Sequence, residues 1–178
     1  MSGLTLIDKY LPEYTYTEYH ETVINSSIEN CFETAKDFDL SKSKLIKILF
    51  KIRGIPTERM NLQGLLSDMG FTSLEESYPT ENLIGFWARS KIEPIRNHQD
   101  FVENAILARI KVAWNFGFKK LNSEQTLVST ETRVLCISPI TKVFFSMYWL
   151  FVRPFSGLIR IKMLQIIKQD AELSEKTE

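Results

Sequence analysis

The chain has 178 residues, which is long enough for one domain with a sizeable core and too short to divide comfortably into two. We therefore expect a single domain over residues 1–178. Its 22 Lys and Arg balance 22 Asp and Glu, so the chain lacks the net positive field that holds proteins on phosphate backbones, and nucleic acid is not an expected partner.

The first part of the chain predicts a strand followed by two helices. Residues 14–24, YTYTEYHETVI, alternate and are rich in Tyr, Thr and Val, which favour a pleated strand. Ser26, with Glu29 three positions later, has the capping-box pattern that begins a helix in SSIENCFETAKDF. A second helix, SKSKLIKILFKIR, is expected to end at Gly54 and Pro56.

The middle of the chain is typical of strands. After a short predicted helix at 60–68, strand patterns separated by polar or glycine-containing turns run to about residue 137. In ARIKVAWNFGF one face carries Ile110, Val112, Trp114, Phe116 and Phe118, and the other carries Arg109, Lys111 and Asn115. We therefore expect an antiparallel sheet with one buried face and one solvated face.

The last predicted element is a helix from about Pro139 to Ala171. Apolar residues step by three or four and polar residues take the opposite side: the stripe is Phe145, Tyr148, Val152, Phe155, Ile159, Met163 and Ile166, opposite Lys142, Ser146, Arg153, Ser156 and Arg160. Pro154 removes an intrahelical donor, so a kink or break is expected near 150–157. Only ten residues separate Lys142 from Arg153, whereas a membrane-spanning helix needs about 20 consecutive apolar residues. A membrane span is therefore not expected here.

This order of one strand, two helices, several antiparallel strands and a long closing helix resembles the helix-grip fold of the START-like (SRPBCC) superfamily. That superfamily includes lipid-transfer domains, pollen-allergen-like proteins and polyketide cyclases. The stretches ETVINSSIENCFETAKDF and SGLIRIKMLQIIKQDAE resemble its first strand with its first helix and its closing helix, whereas STETRV and YWLFVRPFSGLIR resemble a stand-alone bacterial branch. The resemblance implies an α+β fold whose curved sheet wraps around the C-terminal helix and encloses a cavity for an apolar or amphipathic small molecule.

Bulky side chains on the sheet and on the last helix are candidates for the cavity wall, although large aromatics are also common in any core. The candidates are Trp87, Trp114, Phe116, Tyr148 and Trp149. Glu131 and Arg133 lie two apart on a strand and so share a face, which is either a solvated outer face or a polar patch in the cavity. If they lie in the cavity, Arg133 is expected to bind the acidic end of the ligand.

Catalytic and metal-binding patterns are nearly absent. His98 reads as a solvated loop residue, and His20 lies either on the outer sheet surface, which we favour, or on a polar wall of the cavity. Cys31 and Cys136 have no metal-type spacing and are expected to be buried thiols. No metal or cofactor is predicted, and the absence of a signal-peptide pattern points to the cytoplasm.

Three functions follow from these observations. The first is binding or transport of a small apolar or amphipathic molecule, which is the function we favour. The second is an enzyme of the cyclase or dehydratase type that uses Glu131 or His20 as acid or base. The third is a regulatory interaction protein with a vestigial cavity. The ligand and the oligomeric state do not follow from the sequence.

Overall fold

The computed structural model describes residues 4–52, 57–68, 70–89, 91–93, 95, 98–103 and 108–175. The α-helices are α1 (Leu6–Tyr10), α2 (Ile28–Asp37), α3 (Lys44–Ile52), α4 (Leu62–Asp68), α5 (His98–Glu103) and α6 (Pro139–Ser174), with a single 3-10 turn at Leu40–Lys42. The strands are β1 (Tyr16–Ile24), β2 (Thr72–Ser77), β3 (Glu81–Ala88), β4 (Ile92–Glu93), β5 (Ile110–Lys120) and β6 (Thr126–Cys136).

The strands form one antiparallel sheet in the order β1-β6-β5-β3-β2, with the two-residue strand β4 added to β3. The long strands β5 and β6 are joined by a short connection and pair along their whole length, from Ile110 opposite Cys136 to Lys120 opposite Thr126. Strand β1 then pairs with the other edge of β6. The predicted antiparallel sheet is confirmed, and helix α4 confirms the short helix expected at 60–68.

Helix α6 packs against one face of the sheet, called the inner face below. It begins at the cap residue Ser138, whose hydroxyl accepts the amide of Thr141, and Pro139 suits the first turn, where no amide partner is needed. The helix then continues through Pro154 to Ser174. The predicted break of the helix near 150–157 is therefore wrong, whereas the alternative, a kink at Pro154, stays a prediction, since a proline in this position still removes one backbone donor.

The main core lies between the inner face, α2 and the second half of α6. It contains fully buried residues from each of these elements, including Phe32, Phe38, Phe116, Val128, Met163 and Ile167. Helix α2 is capped by Ser27, which accepts the amide of Asn30, rather than by Ser26. Ser26 is buried and donates instead to Glu175 at the end of α6, so it ties the start of α2 to the closing helix.

A second core covers the opposite face of the sheet, called the outer face below. Helices α1 and α5, which the sequence reading did not predict, bring Ile7, Tyr10 and Phe101 onto Leu83, Trp87 and Ala113. Gly85 permits this close approach, because a Cβ there would lie 2.7 Å from Leu74 Cδ1 and 2.9 Å from the carbonyl oxygen of Val112. Both faces of β5 are buried, and the predicted solvated face with Lys111 and Asn115 is wrong.

Two predictions concern places that the structure describes only in part. The expected end of the second helix at Gly54 and Pro56 lies outside the described residues. His98 is the first residue of α5 rather than a loop residue, and the exposure of its side chain also lies outside the description. Within the described ranges, no helix has both the length and the apolar character required to cross a membrane.

Candidate functional site

A cavity of about 410 Å³ lies between the inner face of the sheet and helix α6. Sites that take small molecules usually have volumes of about 300–1,000 Å³, so the space is large enough for a ligand. Its walls are mainly aromatic and aliphatic, with Phe71 and Phe86 on one side and Phe145 and Val152 of α6 on the other. An apolar molecule would therefore find apolar partners over most of its surface.

Arg160 is the one charged side chain among the described residues that line this cavity. Its Nε donates to the hydroxyl of Thr132 at 3.1 Å, and its Nη1 donates to the hydroxyl and the carbonyl oxygen of Ser156. The guanidinium carbon lies 5.5 Å from the centre of the Trp114 ring. These contacts hold the guanidinium at a polar end of an otherwise apolar space.

Two threonines of β6 help to position the side chains at this polar end of the cavity. Thr130 and Thr132 alternate with outward-facing residues and therefore both project from the inner face. Thr130 accepts a hydrogen bond of 2.6 Å from the indole nitrogen of Trp114 and donates to the carbonyl oxygen of Asn115. The Trp114 ring, which Arg160 contacts, is therefore held by a buried hydrogen bond as well as by packing.

A second polar pair lies on the inner face but outside the cavity. Glu18 faces a separate open groove beside Pro154 and Gly157 of α6, and its Oε1 is 3.0 Å from Nε2 of His20. Its other oxygen, Oε2, is buried without a hydrogen-bond partner among the described residues. The favoured prediction for His20, the outer sheet surface, is wrong, because this residue faces α6 on the inner side.

The predicted aromatic wall is only partly assembled at the cavity. Trp114, Tyr148 and Trp149 line the cavity, so they are placed where they could contact a ligand. That they bind one stays a prediction. Phe116 is buried behind Trp114, with ring centres 5.2 Å apart, and does not line the space. Trp87 belongs to the core on the outer face, so its predicted place in the cavity wall is wrong.

Glu131 and Arg133 also lie on the outer face, and the prediction that they face the cavity is wrong. The Arg133 guanidinium is 2.7 Å from Asp8 of α1 and 2.7 Å from Glu131, and it donates to the carbonyl oxygen of Leu11. Burial opposes the charged form, but the hydrogen bonds that Arg133 donates to Glu131 and Asp8 outweigh it and raise the Arg133 pKa. Arg133 thus holds the N-terminal segment on the sheet.

Sequence reasoning missed Arg160 and Ser156 by assigning them to the solvated side of the closing helix. The inward side instead steps through Trp149, Ser156, Arg160 and Met163, which is an equally good helical spacing. Both sides of the first half of α6 are apolar, so its apolar pattern does not identify the inner side. Ser156 lies four residues before Arg160, so the two side chains are neighbours on the helix, and this pairing was the available sign that they share the inward side.

Nucleophilic and metal chemistry has little support in the described part of the chain. No group of three or more His, Cys, Asp or Glu side chains is arranged there to hold a metal ion. Burial raises the pKa of the Cys31 thiol to about 11, which disfavours the reactive thiolate, and burial also raises the pKa of Cys136. Both cysteines are free, but Cys136 is only partly buried.

Solved structures with a similar backbone include two enzymes and one hypothetical protein. A hypothetical protein from Helicobacter pylori is 8% identical and has a TM-score of 0.44, with 96% of this chain and 97% of that one covered. The Zhui aromatase/cyclase from Streptomyces sp. R1128 is 11% identical at a TM-score of 0.37, with 88% and 93% covered. Norcoclaurine synthase from Thalictrum flavum is 9% identical at 0.36, with 90% and 96% covered.

No family model matches the chain, and no curated protein matches it. Its class therefore follows from its own architecture: an antiparallel sheet, a long C-terminal helix across the inner face and a cavity between them. The chain has the α+β helix-grip fold. The fold that the sequence resemblance implied is confirmed.

Proposed function

We propose that the protein binds a small, mainly apolar molecule with an anionic end in the cavity under α6. The observation that carries the proposal is an apolar space whose described lining contains one charged residue, Arg160. The apolar body of the ligand would lie against the aromatic walls, and its anionic end would lie beside Arg160. The protein would sequester or carry this molecule.

The guanidinium gives the site its selectivity for charge. An arginine can form two parallel hydrogen bonds with a carboxylate or a phosphate, and such charge-assisted bonds are stronger than those between neutral groups. Arg160 already contacts hydroxyl and carbonyl oxygens, which are weaker acceptors than a carboxylate, so an incoming acid can replace them. Thr132 and Ser156 would then remain as neighbouring donors to the same acid.

The cyclase or dehydratase alternative requires an acid or a base that reaches a molecule in the cavity. Glu131, one of its two candidate residues, lies on the outer face in contact with Arg133. The other, His20, is beside Glu18 at the separate groove. Because neither residue lines the cavity, the geometry supports binding better than proton transfer.

A pair of matched probes tests the proposal. Dodecanoic acid and dodecanol have the same chain length and differ in the charged end, and binding can be followed through the emission of Trp114 and Trp149. We expect the protein to prefer the acid, and Arg160→Gln to weaken acid binding about tenfold or more, since bonds to charged groups contribute about 1.5–3 kcal/mol. Lys162→Gln removes the same charge two residues away on α6, outside the cavity, and should leave the preference unchanged.

Extraction of the purified protein under denaturing conditions, followed by mass spectrometry, would identify a retained molecule. An acid with a hydrocarbon or aromatic body would support the proposal. Equal affinity for both probes in the native protein, or the same loss in Lys162→Gln as in Arg160→Gln, would contradict the role of Arg160. Failure of both probes to bind would contradict the proposed function itself.

A further inference from the structure

The first half of α6 has a second apolar side, which faces away from the sheet. Six large side chains on it are each between 62% and 74% exposed: Ile140, Val143, Phe144, Met147, Leu150 and Phe151. We call these six residues the outer apolar face. A protein that stays apart from other surfaces seldom exposes so large a contiguous apolar patch, so the face requires a partner.

The chain around this face contains no acidic residue. The six residues follow one another at steps of three or four, as one side of a helix requires. No Asp or Glu occurs between Glu131 and Asp170. Over residues 139–169 the helix therefore offers no carboxylate that would repel an anionic surface.

A groove at the start of α6 places basic residues of the sheet beside the outer apolar face. It is lined by Ile140 and Phe144 of the outer apolar face together with Arg89 and Arg109. Both arginines are exposed. Two cations are thus present beside the apolar residues, where they could contact the head groups of a lipid layer on which the helix rested.

We propose that the outer apolar face lies on the surface of a bilayer that contains anionic lipid. A helix with bulky apolar residues on one side and Lys or Arg along its boundary lies in the plane of such an interface, with its apolar side among the upper parts of the acyl chains. Each basic residue near the surface adds about a fivefold increase in affinity for anionic membranes. The inference does not depend on which molecule occupies the cavity.

A second copy of the chain fits this surface less well. A twofold interface uses the same patch twice, so two copies that paired through the outer apolar face would each present the basic groove with Arg89 and Arg109. Neither the six residues of the face nor the described lining of the groove includes an Asp or Glu to pair with these arginines. An anionic lipid surface matches both the apolar and the charged part of the face.

Vesicle binding tests the proposal directly. We would mix the full chain with vesicles of phosphatidylcholine alone or with 30% phosphatidylglycerol, an amount of roughly physiological order for anionic lipid, and separate bound protein by flotation. The protein should bind the anionic vesicles, and binding should fall as salt is raised. The double variant Phe144→Ser/Phe151→Ser should lose at least tenfold in affinity, and Arg89→Gln/Arg109→Gln should lose about tenfold.

Leu173→Ser is the matched control, because Leu173 is an equally exposed apolar residue near the far end of the same helix. It should bind vesicles like the unaltered chain, and unaltered circular dichroism in all variants shows that they are folded. Absence of vesicle binding by the unaltered chain overturns the proposal. So does a concentration-dependent dimer, seen by sedimentation without lipid, that the double phenylalanine variant abolishes, because a second copy would then cover the face.

Discussion

Among the residues that the structure describes, one buried or half-buried arginine lies on each face of the sheet, and the two arginines have different surroundings. Arg133 on the outer face lies between two carboxylates and under the N-terminal segment, in a layer that α1 and α5 fill with side chains. Arg160 on the inner face contacts hydroxyl groups and an indole ring beside an open cavity. Arg133 holds the N-terminal segment on the outer face, and Arg160 borders the space in which a ligand can bind on the inner face.

This difference separates two uses of the same side chain. An arginine that already pairs with carboxylates contributes to stability, and a ligand acid would have to displace those partners first. An arginine that donates to hydroxyl and carbonyl oxygens beside an apolar cavity, as Arg160 does, can gain a stronger bond from a new carboxylate. Substitutions on the outer face should therefore change the free energy of unfolding, and substitutions at the cavity should change ligand binding.

The largest effect is expected from Arg133→Ala. The change leaves the carboxylates of Asp8 and Glu131 without their common partner and removes the bond to Leu11. Removal of one member of a buried pair costs about 3–5 kcal/mol, and because Asp8 and Glu131 are partly exposed here, we expect a loss of about 2–3 kcal/mol in urea unfolding.

Arg153→Ala is the control for this experiment, because Arg153 is exposed on α6 and should change stability by no more than about 0.5 kcal/mol. Arg133→Ala should also keep the preference for an acidic probe. A stability close to that of the control, together with a lost preference for the acid, would mean that Arg133 acts in binding, as the sequence alone suggested.

Neighbouring residues of β5 offer a second comparison of the two faces. Ala113 is fully buried in the outer core, and Val112 lines the cavity on the inner face. Ala113→Leu should cost about 1–3 kcal/mol in urea unfolding, because extra methylene groups have no space there. Val112→Phe should cost less than about 1 kcal/mol, since its ring can enter the cavity, and should weaken probe binding. Equal losses of stability would indicate that the cavity is closed in solution.

Local patterns were sufficient to predict the sheet and the closing helix. The alternation of Ile110, Val112 and Trp114 places these residues on one side of a strand whatever lies against it, since that follows from the pleat alone. The same alternation groups Glu131 with Arg133 but does not say which face they occupy. That choice depends on α1, more than 100 residues earlier in the chain, whose short pattern gave no separate signal.

The side of α6 that faces the cavity could not be predicted for a different physical reason. A helix normally shows its inner side as the more apolar one, but Phe144 and Phe151 are as apolar as Phe145 and Trp149. Arg160 therefore fitted a solvated side in the sequence although it lines the cavity. If the outer apolar face rests on a lipid layer, both sides of the helix are buried in the working state, and the ambiguity reflects its two partners.

The smallest effect concerns the pH at which the outer face loses the contact between α1 and the sheet. Hydrogen bonds from Thr5, and then the bond and charge of Arg133, hold the pKa of Asp8 below its ordinary value of 3.8. The unfolded chain therefore takes up a proton first as the pH falls below about 4, so this contribution to stability is complete above that pH and disappears as the pH falls through the folded pKa.

Hydrogen exchange can locate this loss, because the amides of Leu6 and Ile7 donate to Glu81 while α1 is in place. We expect their exchange, corrected for its intrinsic pH dependence, to accelerate between pH 5 and pH 3, whereas amides in the paired strands β5 and β6 remain protected over roughly the same range.

Two variants separate a local loss from a global one. In Asp8→Asn the α1 amides should already exchange faster at pH 6, and their exchange should respond less to acid. Asp170→Asn breaks a comparable ion pair with Lys42 on the inner side and should leave the α1 amides unchanged. If both variants behave alike, acid acts on the whole fold, and the Arg133 contacts do not by themselves hold α1 on the outer face.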